Sequence, residues 1–181
     1  MDPGSLLIAD PSIIGDTNFH RSIILLVEHN FDGSFGFIIN NPLNHTTKDL
    51  TVEMKYDFPL YYGGPVDQDN LFFMHKMGNL IPNSIRIQND LYWGGDFKAI
   101  VSLVNNKKLK DNDIKFFLGY SGWSANQLIS EIKSKNWIIK KNSNSSDIFT
   151  NKSESLWSKE MKKLGGDFLL WSNSPENPFE N

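Results

Sequence analysis

Two apolar segments separated by a polar turn dominate the hydrophobic pattern of residues 19–42. The first segment, 23–27, is too short to cross a membrane and is rich in branched side chains, so we expect a strand covered on both faces. Residues 31–34 supply turn chemistry, and the second segment, 35–39, leads to Pro42. Because proline lacks the N–H group that a central strand needs, the second strand ends there. The pattern therefore predicts a buried β-hairpin.

Other short or alternating apolar segments predict further strands. The predicted strands are residues 5–9, 71–75, 85–87, 91–93 and 114–120, with an extended segment at 137–139. The strands at 85–87 and 91–93 are close enough to form a second hairpin. Between the two hairpins, Gly63 and Gly64 precede Pro65 and mark a sharp turn, since paired glycines tolerate positive φ.

Helical spacing of apolar residues appears first at residues 97–104, where they recur at i, i+3, i+4 and i+7. Asp96 is placed to cap this helix at its N-terminus. A second helix has its apolar face within residues 125–132. Ser124 and Gln127 form a capping box at its start.

Weaker patterns complete the chain. A short helix is predicted over residues 47–54, and residues 140–146 are polar and predicted to form an exposed loop. Ser153 is expected to cap a last helix, which Gly165 ends. The proline-rich tail after Trp171 is expected to fray or to lie over the surface.

Strands come first along the chain, and mixed helices and strands follow. This order is typical of an α+β fold rather than of a regular βαβ alternation. With 181 residues, no internal repeat and no interdomain linker, the chain is expected to be a single domain covering residues 1–181. The proportions of hydrophobic residues, 39%, and charged residues, 22%, are those of a soluble globular protein.

The absence of cysteine excludes disulfides, thiolate metal sites and a cysteine nucleophile. The N-terminus has no basic region and only a four-residue apolar run, so we expect it to be neither a secretory signal nor a membrane anchor. We therefore expect a cytoplasmic protein that does not associate with membranes.

The formal net charge of −3 argues against a nucleic-acid-binding surface over the whole molecule. The charge is uneven, because residues 1–90 carry 5 basic and 11 acidic side chains, whereas residues 91–181 carry 13 and 10. The lysines of the second half cluster at 107–110 and 133–141, which leaves a basic face open as an alternative. We favour the interpretation that they keep exposed helix ends solvated.

Several short motifs occur in an order and spacing that carry a family resemblance. They are Phe19-His20-Arg21-Ser22, Glu28-His29, the glycine turn at 33–36, Ile39-Asn40-Asn41-Pro42, Gly63-Gly64-Pro65-Val66, Ser84-Ile85-Arg86, and Gly119-Tyr120-Ser121-Gly122-Trp123 with Gln127-Leu128 and Glu131. On these residues, and over nearly its whole length, the chain resembles the AlgH/YqgE family of bacterial proteins. The resemblance implies an α+β fold whose bifurcated, mostly antiparallel β-sheet curls into a pseudo-barrel with helices packed outside.

The resemblance implies less about function. Family members are labelled transcriptional regulators, without a recognised DNA-binding motif or an established enzymatic activity, and this chain has no helix-turn-helix pattern either. It departs from its relatives at Ser121, where they usually have alanine. We expect structural roles for the motif residues Phe19, Ser22, Pro42, Pro65, Gly119, Tyr120, Gly122, Trp123 and Gln127.

The polar motif residues lie at strand ends and turns, where binding residues collect. We therefore expect a groove that takes a small molecule or a peptide from a protein partner, without a cofactor or a metal ion. Its predicted lining is Arg21, Glu28, His29, Asn40, Gly63 and Gly64. The leading hypothesis is a non-enzymatic binding or regulatory protein, which the residues favour over direct DNA binding.

Arg21 has two interpretations. Its planar fork is suited to a carboxylate or phosphate ligand, or it pairs with an internal acid such as Asp16 or Glu28, which we favour because a buried arginine needs a partner. The Gly63-Gly64 turn also has two interpretations, an anion-binding nest of backbone N–H groups or a turn that binds no ligand. Pro65 lacks an N–H group, so the plain turn is favoured.

Enzymatic chemistry is the alternative class of function, as a small hydrolase or transferase using Glu28 and His29. Ser121 lies between a predicted strand and a helix, as a hydrolase nucleophile does, but no histidine follows His75, and the nucleophile is disfavoured. A metal site built from Glu28, His29 and other acids and histidines is disfavoured too, because no HExxH or similar spacing occurs. We expect Glu28 and His29 to satisfy backbone groups or each other.

Overall fold

The computed structural model describes residues 1–13, 16–141, 148–149 and 156–174. Its strands are β1 (Leu6–Ala9), β2 (Ile23–His29), β3 (Gly33–Ile38), β4 (Pro42–Thr46), β5 (Pro59–Tyr62), β6 (Val66–His75), β7 (Ile85–Gln88), β8 (Leu91–Trp93), β9 (Ile114–Ser124) and β10 (Trp137–Lys140). Its α-helices are α1 (Phe97–Asn105), α2 (Gln127–Lys133), α3 (Leu156–Leu164) and α4 (Phe168–Ser172). Both predicted hairpins are confirmed, as β2 with β3 and β7 with β8.

The hairpin strand β2 is buried on both faces, as its unbroken apolar sequence predicts. Ile23, Leu25 and Val27 belong to one hydrophobic cluster, and Ile24 and Leu26 belong to another on the opposite face of the sheet. Successive side chains of a strand point to opposite faces, so only a sequence without polar positions can serve both clusters. Full burial of each such side chain contributes about 1.5–3 kcal/mol.

The sheet branches at β9. The first half of β9 pairs in parallel with β5, where Leu60 lies opposite Phe116, and antiparallel with β6. Its second half pairs with β3, where Phe35 lies opposite Gly122. The main path through the sheet runs β10, β1, β2, β3, β9, β6, β8 and β7. Within the described residues β10 and β7 are its edges, so this mostly antiparallel, bifurcated sheet does not close.

Helix α1 follows the sequence prediction closely. The Asp96 side chain accepts hydrogen bonds from the backbone N–H groups of Lys98 and Ala99, which satisfies two donors that an uncapped helix would leave unpaired. Ile100 and Val104 are buried in a cluster with Phe116 and other residues of the branched half of the sheet. None of the helices in the described ranges has the length and apolar character required to cross a bilayer.

Helix α3 closes the other main cluster. Trp157 and Met161 are buried there, and the indole N–H of Trp157 donates to the carbonyl of Ala9 at 2.8 Å. The helix ends before Gly165, whose φ of +70° matches the expected left-handed termination. Ser153, residues 142–146 and residues 175–181 lie outside the described residues, and with them the predicted cap and most of the predicted loop and tail. Lys140, predicted to begin that loop, belongs to β10, and Ser172, predicted to begin the tail, belongs to α4.

The sequence did not predict β4, β5 or α4, and several element boundaries differ from the prediction. The helix predicted over 47–54 is a 3-10 turn, Thr47–Asp49, because the following Val52 is 98% exposed and gives a longer helix no apolar anchor. Strand β6 begins at Val66 rather than at residue 71. The residues that follow Val66 are polar and show no alternation of apolar and polar side chains, so the pattern did not predict this half of the strand. Strand β9 continues to Ser124, so α2 begins at Gln127. The Gln127 side chain accepts a hydrogen bond from the Ser124 backbone N–H, but Ser124 belongs to β9 and the N-cap of α2 is Asn126, so the predicted capping box is wrong.

Lys115 is a buried cation within β9, only 4% exposed. Its Nζ atom donates to the carbonyls of Ile39 and Ile148 at 2.8 and 3.0 Å and lies 3.8 Å from the centre of the Tyr61 ring. Burial lowers the pKa of Lys115 to about 7, because the charged form loses its hydration. The folded protein therefore releases a proton from Lys115 near neutral pH, whereas the unfolded chain keeps this proton until pH is near the ordinary lysine value.

This difference predicts a pH-dependent stability. Between about pH 7 and pH 10 the unfolded chain binds one more proton than the folded protein, so the free energy of unfolding rises with pH by up to about 1.4 kcal/mol per unit. Below pH 7 both states are protonated, and this contribution is constant. We expect Lys115→Met to remove the rise, which urea denaturation at a series of pH values will measure as a difference from the native chain.

The control is Lys98→Met, which changes an exposed lysine of α1 and should leave the pH profile parallel to that of the native chain. Parallel profiles for Lys115→Met as well would show that Lys115 does not titrate near neutral pH.

Candidate functional site

An aromatic groove of about 570 Å³ is formed where β3, β6, β8 and β9 meet. Its walls include Phe35, Phe72, Trp93, Tyr120, Gly122 and Trp123. All of these except Trp123 are only half-buried, so their surfaces reach the groove. The groove falls in the size range of small-molecule sites, which are concave and mostly apolar with a few polar groups.

The pairing of β3 with β9 creates the space in the groove. Phe35 lies opposite Gly122, which has no side chain to cover it. A Cβ atom at Gly122 would point towards the Tyr120 ring, 3.2 Å from its nearest carbon. The Phe35 ring lies 5.0 Å from Trp93 and 5.8 Å from Tyr120, both edge to face, and Phe72 lies 5.6 Å from Tyr120. The rings support one another and hold the walls in place.

The rim of the aromatic groove is acidic. Glu28 and Asp32 both line it, and none of the described lining residues is a lysine or an arginine. The Asn30 side chain fixes the loop between them, because its Oδ1 atom accepts hydrogen bonds from the backbone N–H groups of Asp32 and Gly33. The groove therefore combines an apolar aromatic wall with negative charge at its rim.

A second cavity, the Arg21 pocket, has a volume of about 310 Å³ and a different character. It is lined by His20, Arg21, Ser22, Asn40, Trp157 and Ser158, with Asn41 and Pro42 beside them. Two sequence motifs, at 19–22 and 39–42, thus meet in space. They meet because one motif precedes β2 and the other follows β3 at the open end of the same hairpin.

Asn40 fixes the backbone around Arg21. Its Oδ1 atom accepts a hydrogen bond from the Ile23 backbone N–H at 2.7 Å, and its Nδ2 atom donates to the Arg21 carbonyl at 2.9 Å. This clamp holds Arg21 at a φ of +53°, in the left-handed region that non-glycine residues rarely adopt. Such strained residues cluster at functional sites.

The Arg21 guanidinium group lies over the Trp157 ring, 5.0 Å from its centre, and its Nη2 atom donates to the Ser174 carbonyl at 2.8 Å. Across residues 1–13, 16–141, 148–149 and 156–174, no ion pair joins Arg21 to Asp16 or Glu28. The internal acid pair favoured for Arg21 from the sequence is therefore wrong for both named partners. Asp16 instead accepts a hydrogen bond from the Asn18 backbone N–H.

Glu28 and His29 line different cavities. Glu28 faces the aromatic groove and accepts a hydrogen bond from the Asn30 side chain. His29 lines a separate cavity of about 330 Å³, and its Nδ1 atom lies 2.6 Å from the Ser34 hydroxyl oxygen. The six residues predicted to share one groove are thus divided, with Arg21 and Asn40 in one cavity, Glu28 in a second and His29 in a third.

Gly63 and Gly64 serve the close approach of strands. A Cβ atom at Gly63 would lie 2.1 Å from the carbonyl oxygen of Gly119, and one at Gly64 would lie 2.3 Å from the Tyr120 backbone. The Gly63 N–H donates to the Leu118 carbonyl and is therefore engaged within the sheet. These contacts support the turn interpretation rather than the anion nest.

Ser121 lies within β9 and is fully buried. Its hydroxyl donates to the Gly63 carbonyl at 3.1 Å, so it ties two strands together and does not stand at a strand-to-helix turn as a nucleophile would. A little further along, the indole N–H groups of Trp123 and Trp137 both donate to Glu131 at 2.8 Å. Phe19 packs against both indoles, with ring centres 6.4 and 5.5 Å away.

The described residues contain no cluster of three or more His, Asp or Glu side chains close enough to hold a metal ion. His75 is fully buried, its Nε2 atom contacts the Gly94 carbonyl, and burial lowers its pKa. The lysine clusters make local contacts, since Lys107 lies over the Tyr56 ring and Lys140 forms an ion pair with Glu160.

The sequence did not identify Phe35, Phe72 and Trp93 as site residues, because apolar residues in strands are indistinguishable by pattern from core residues. It also missed Trp157, whose contact with Arg21 joins positions far apart in the chain. The signal that was available is Gly122, since a glycine within a strand marks a place where a side chain would be in the way.

Comparison with known proteins identifies relatives over nearly the whole chain. A family model described as AlgH-like matches residues 6–169. A protein from Cytophaga hutchinsonii is 40% identical over 177 residues, covering 97% of this chain and 96% of the relative, and one from Bacteroides fragilis is 41% identical over 180 residues, covering 98% and 90%. Both carry the name UPF0301 protein.

Two solved structures share the fold. The crystal structure of a protein from Corynebacterium diphtheriae superposes with a TM-score of 0.76 at 25% identity, covering 96% of this chain and 93% of the other. The solution structure of the AlgH protein from Pseudomonas aeruginosa gives a TM-score of 0.72 at 24% identity, covering 96% and 94%. This chain belongs to the AlgH-like family, and the α+β fold that its motifs predict is the fold of that family.

Proposed function

We propose that this protein is a cytoplasmic, non-enzymatic binding protein whose aromatic groove takes a small molecule or a peptide side chain with a cationic group on an apolar body. The observation that carries the proposal is the composition of the groove. Four half-buried aromatic rings form its walls, two carboxylates lie at its rim, and no basic side chain is among its described lining residues.

The chemistry of such a groove favours a cation. An ammonium or guanidinium group placed over an aromatic face is attracted by the ring quadrupole, by about 0.5–2 kcal/mol depending on how far it is desolvated. Glu28 and Asp32 add Coulomb attraction from the rim. An apolar body attached to the cation would cover Phe35 and Trp93, whose exposed surface is otherwise in contact with water.

Two alternatives have less support. An acid–base pair of Glu28 and His29 would need both side chains at one substrate, but they line separate cavities. Direct DNA binding at the aromatic groove would bring phosphates against two carboxylates, which repel them. A regulatory role would therefore act through the bound ligand or a protein partner.

The charge preference of the aromatic groove can be measured with three probes that share a phenylethyl body. We expect phenethylamine to bind more tightly than 2-phenylethanol, and 3-phenylpropionate to bind least, with about a three- to tenfold step where the charge changes. Amide chemical-shift titration of the labelled protein will give the three affinities. In the double variant Glu28→Gln with Asp32→Asn, the advantage of the amine over the alcohol should shrink to the part that the aromatic rings supply.

An equal affinity for the amine and the carboxylate would contradict the proposal. So would a preference for the amine that is undiminished in the double variant, because the carboxylates would then have no part in it.

Filling the aromatic groove provides a second test. Gly122→Leu places a side chain between the Tyr120 ring and Val66, and the φ of Gly122 lies outside the positive region that disfavours other residues. We expect binding of every probe to fall about tenfold or more, at a cost in stability below about 3 kcal/mol. Titration and urea denaturation will measure the two effects.

The matched control is Ser124→Leu, which adds the same side chain two residues further along β9 at an exposed position outside the groove. It should leave probe binding unchanged. Probe binding that survives Gly122→Leu would place the ligand elsewhere on the protein.

A further inference from the structure

The loop that joins β2 to β3 carries a phenylalanine that the hydrophobic core does not use. Phe31 is 100% exposed and belongs to none of the hydrophobic clusters formed by the described residues. It lies between Asn30 and Asp32, which both line the aromatic groove. A single exposed apolar residue is ordinary in a soluble protein, but this one stands beside the proposed binding site.

Hydrogen bonds within the loop hold Phe31 in this position. The Asn30 backbone N–H donates to the Gly33 carbonyl at 2.9 Å, and the Asn30 Oδ1 atom accepts from the backbone N–H groups of Asp32 and Gly33. These bonds close the turn on both sides of Phe31. A ligand that contacts Phe31 therefore has little loop disorder to remove, which lowers the entropic cost of binding.

Phe31 also lines the cavity of about 330 Å³ that contains His29, which we call the His29 cavity. Leu128 and Ile129 of α2 form an apolar part of its wall, and Ile129 is 40% exposed. None of its described lining residues is an aspartate, a glutamate, a lysine or an arginine. The His29 cavity therefore suits an uncharged apolar side chain, whereas the acidic rim of the aromatic groove suits a cation.

The aromatic groove and the His29 cavity adjoin at the hairpin loop, because Asn30 and Ser34 line both of them. Adjoining cavities of unlike character fit a ligand with two unlike groups. A peptide supplies such groups, since successive side chains of an extended chain point to opposite sides and can enter separate cavities. The Asn126 carboxamide also lines the His29 cavity, does not cap α2, and can exchange hydrogen bonds with a peptide group.

We propose that the aromatic groove and the His29 cavity together bind a segment of a protein partner that carries a lysine or arginine close to an apolar residue. The basic side chain enters the groove between the aromatic wall and the carboxylates of Glu28 and Asp32. The apolar side chain enters the His29 cavity and covers Phe31 and Ile129. This inference rests on the proposed function of the groove, and it selects a peptide rather than a free small molecule as the ligand.

The test compares peptides that differ only in the apolar residue. The probes are acetylated, amidated peptides with one lysine and one leucine separated by zero to three glycines, and each has a counterpart with alanine in place of leucine. At the best spacing we expect the leucine peptide to bind about tenfold more tightly, because the leucine covers apolar surface that the alanine leaves in water. Amide chemical-shift titration will measure the affinities and should show shifts at residues 28–34 and 126–130.

The same titrations separate this inference from the proposed function. Phenethylamine has no second side chain for the His29 cavity and reports on the groove. If phenethylamine does not prefer the native protein over the Glu28→Gln, Asp32→Asn variant, the proposed function of the groove fails, and this inference fails with it. If phenethylamine does show that preference but the leucine and alanine peptides bind equally at every spacing, only this inference is overturned.

Phe31→Ser isolates the second cavity. Because Phe31 is fully exposed, the substitution should leave the thermal midpoint unchanged. We expect it to reduce the preference for the leucine peptide to about threefold or less, since it removes an apolar surface that the leucine covers.

Val52→Ser is the matched control. Val52 is 98% exposed and lines neither cavity, so its replacement removes a second exposed apolar side chain away from the site. The preference for leucine should remain about tenfold. A preference that survives Phe31→Ser as fully as it survives Val52→Ser would overturn the proposal.

A second copy of this chain is the other occupant that the exposed Phe31 could contact. Sedimentation equilibrium at the concentrations of the titrations tests it, and we expect a monomer. A dimer that Phe31→Ser dissociates and Val52→Ser does not would assign this surface to self-association and overturn the proposal.

Discussion

The contact between the backbones of Gly63 and Gly119 is the constraint on which the rest of the sheet depends. Strand β9 has three neighbouring strands, and β5 and β6 must turn into one another directly against it. A side chain at Gly63 would collide with the Gly119 carbonyl, and one at Gly119 would lie 2.5 Å from the Gly64 carbonyl. Glycine at these positions lets the sheet branch. As a result, one half of β9 packs in the hydrophobic core and the other half lines the aromatic groove.

The two halves of β9 perform these roles separately. Phe116, in the first half, joins the cluster beneath α1 and contributes only to the core. Tyr120 and Gly122, in the second half, form part of the aromatic groove, where a glycine opposite Phe35 leaves a space. Within a few residues, β9 thus changes from packing in the hydrophobic core to lining the aromatic groove. The change needs no loop, because the absence of a side chain at Gly122 is sufficient.

How far the sequence predicts this molecule depends on whether the signal is local. The hairpin and α1 were predictable because an unbroken apolar run and an i, i+3, i+4, i+7 pattern each determine one element. The segment from Gly119 to Trp123 was harder to predict as a strand, since in the sequence alone glycines within a strand look the same as glycines of a turn. Its small residues permit close packing in β9, and the strand therefore continues to Ser124.

The predicted single groove fails for a simple geometric reason. Arg21 and Glu28 lie at opposite ends of β2, and a seven-residue strand spans roughly 20 Å. No arrangement of side chains would let them share a small ligand or pair with each other. Cavities do form at the ends of strands, as predicted. The two ends of one strand, however, belong to different cavities. Asn40 meets Arg21 because β3 returns antiparallel to the same end, and that pairing could be predicted from the hairpin itself.

The polar atoms around Trp123 and Trp137 differ from those around Arg21 in how fully they are hydrogen-bonded. Around Trp123 and Trp137, both indole N–H groups are satisfied by one carboxylate, Glu131, as expected of a purely structural corner. Around Arg21 the backbone is strained, and Ser22 Oγ remains unsatisfied although alanine would serve the fold as well. A left-handed backbone at Arg21 and an unsatisfied hydroxyl at Ser22 thus distinguish this corner from the one around the two tryptophans, where every named polar group has its partner.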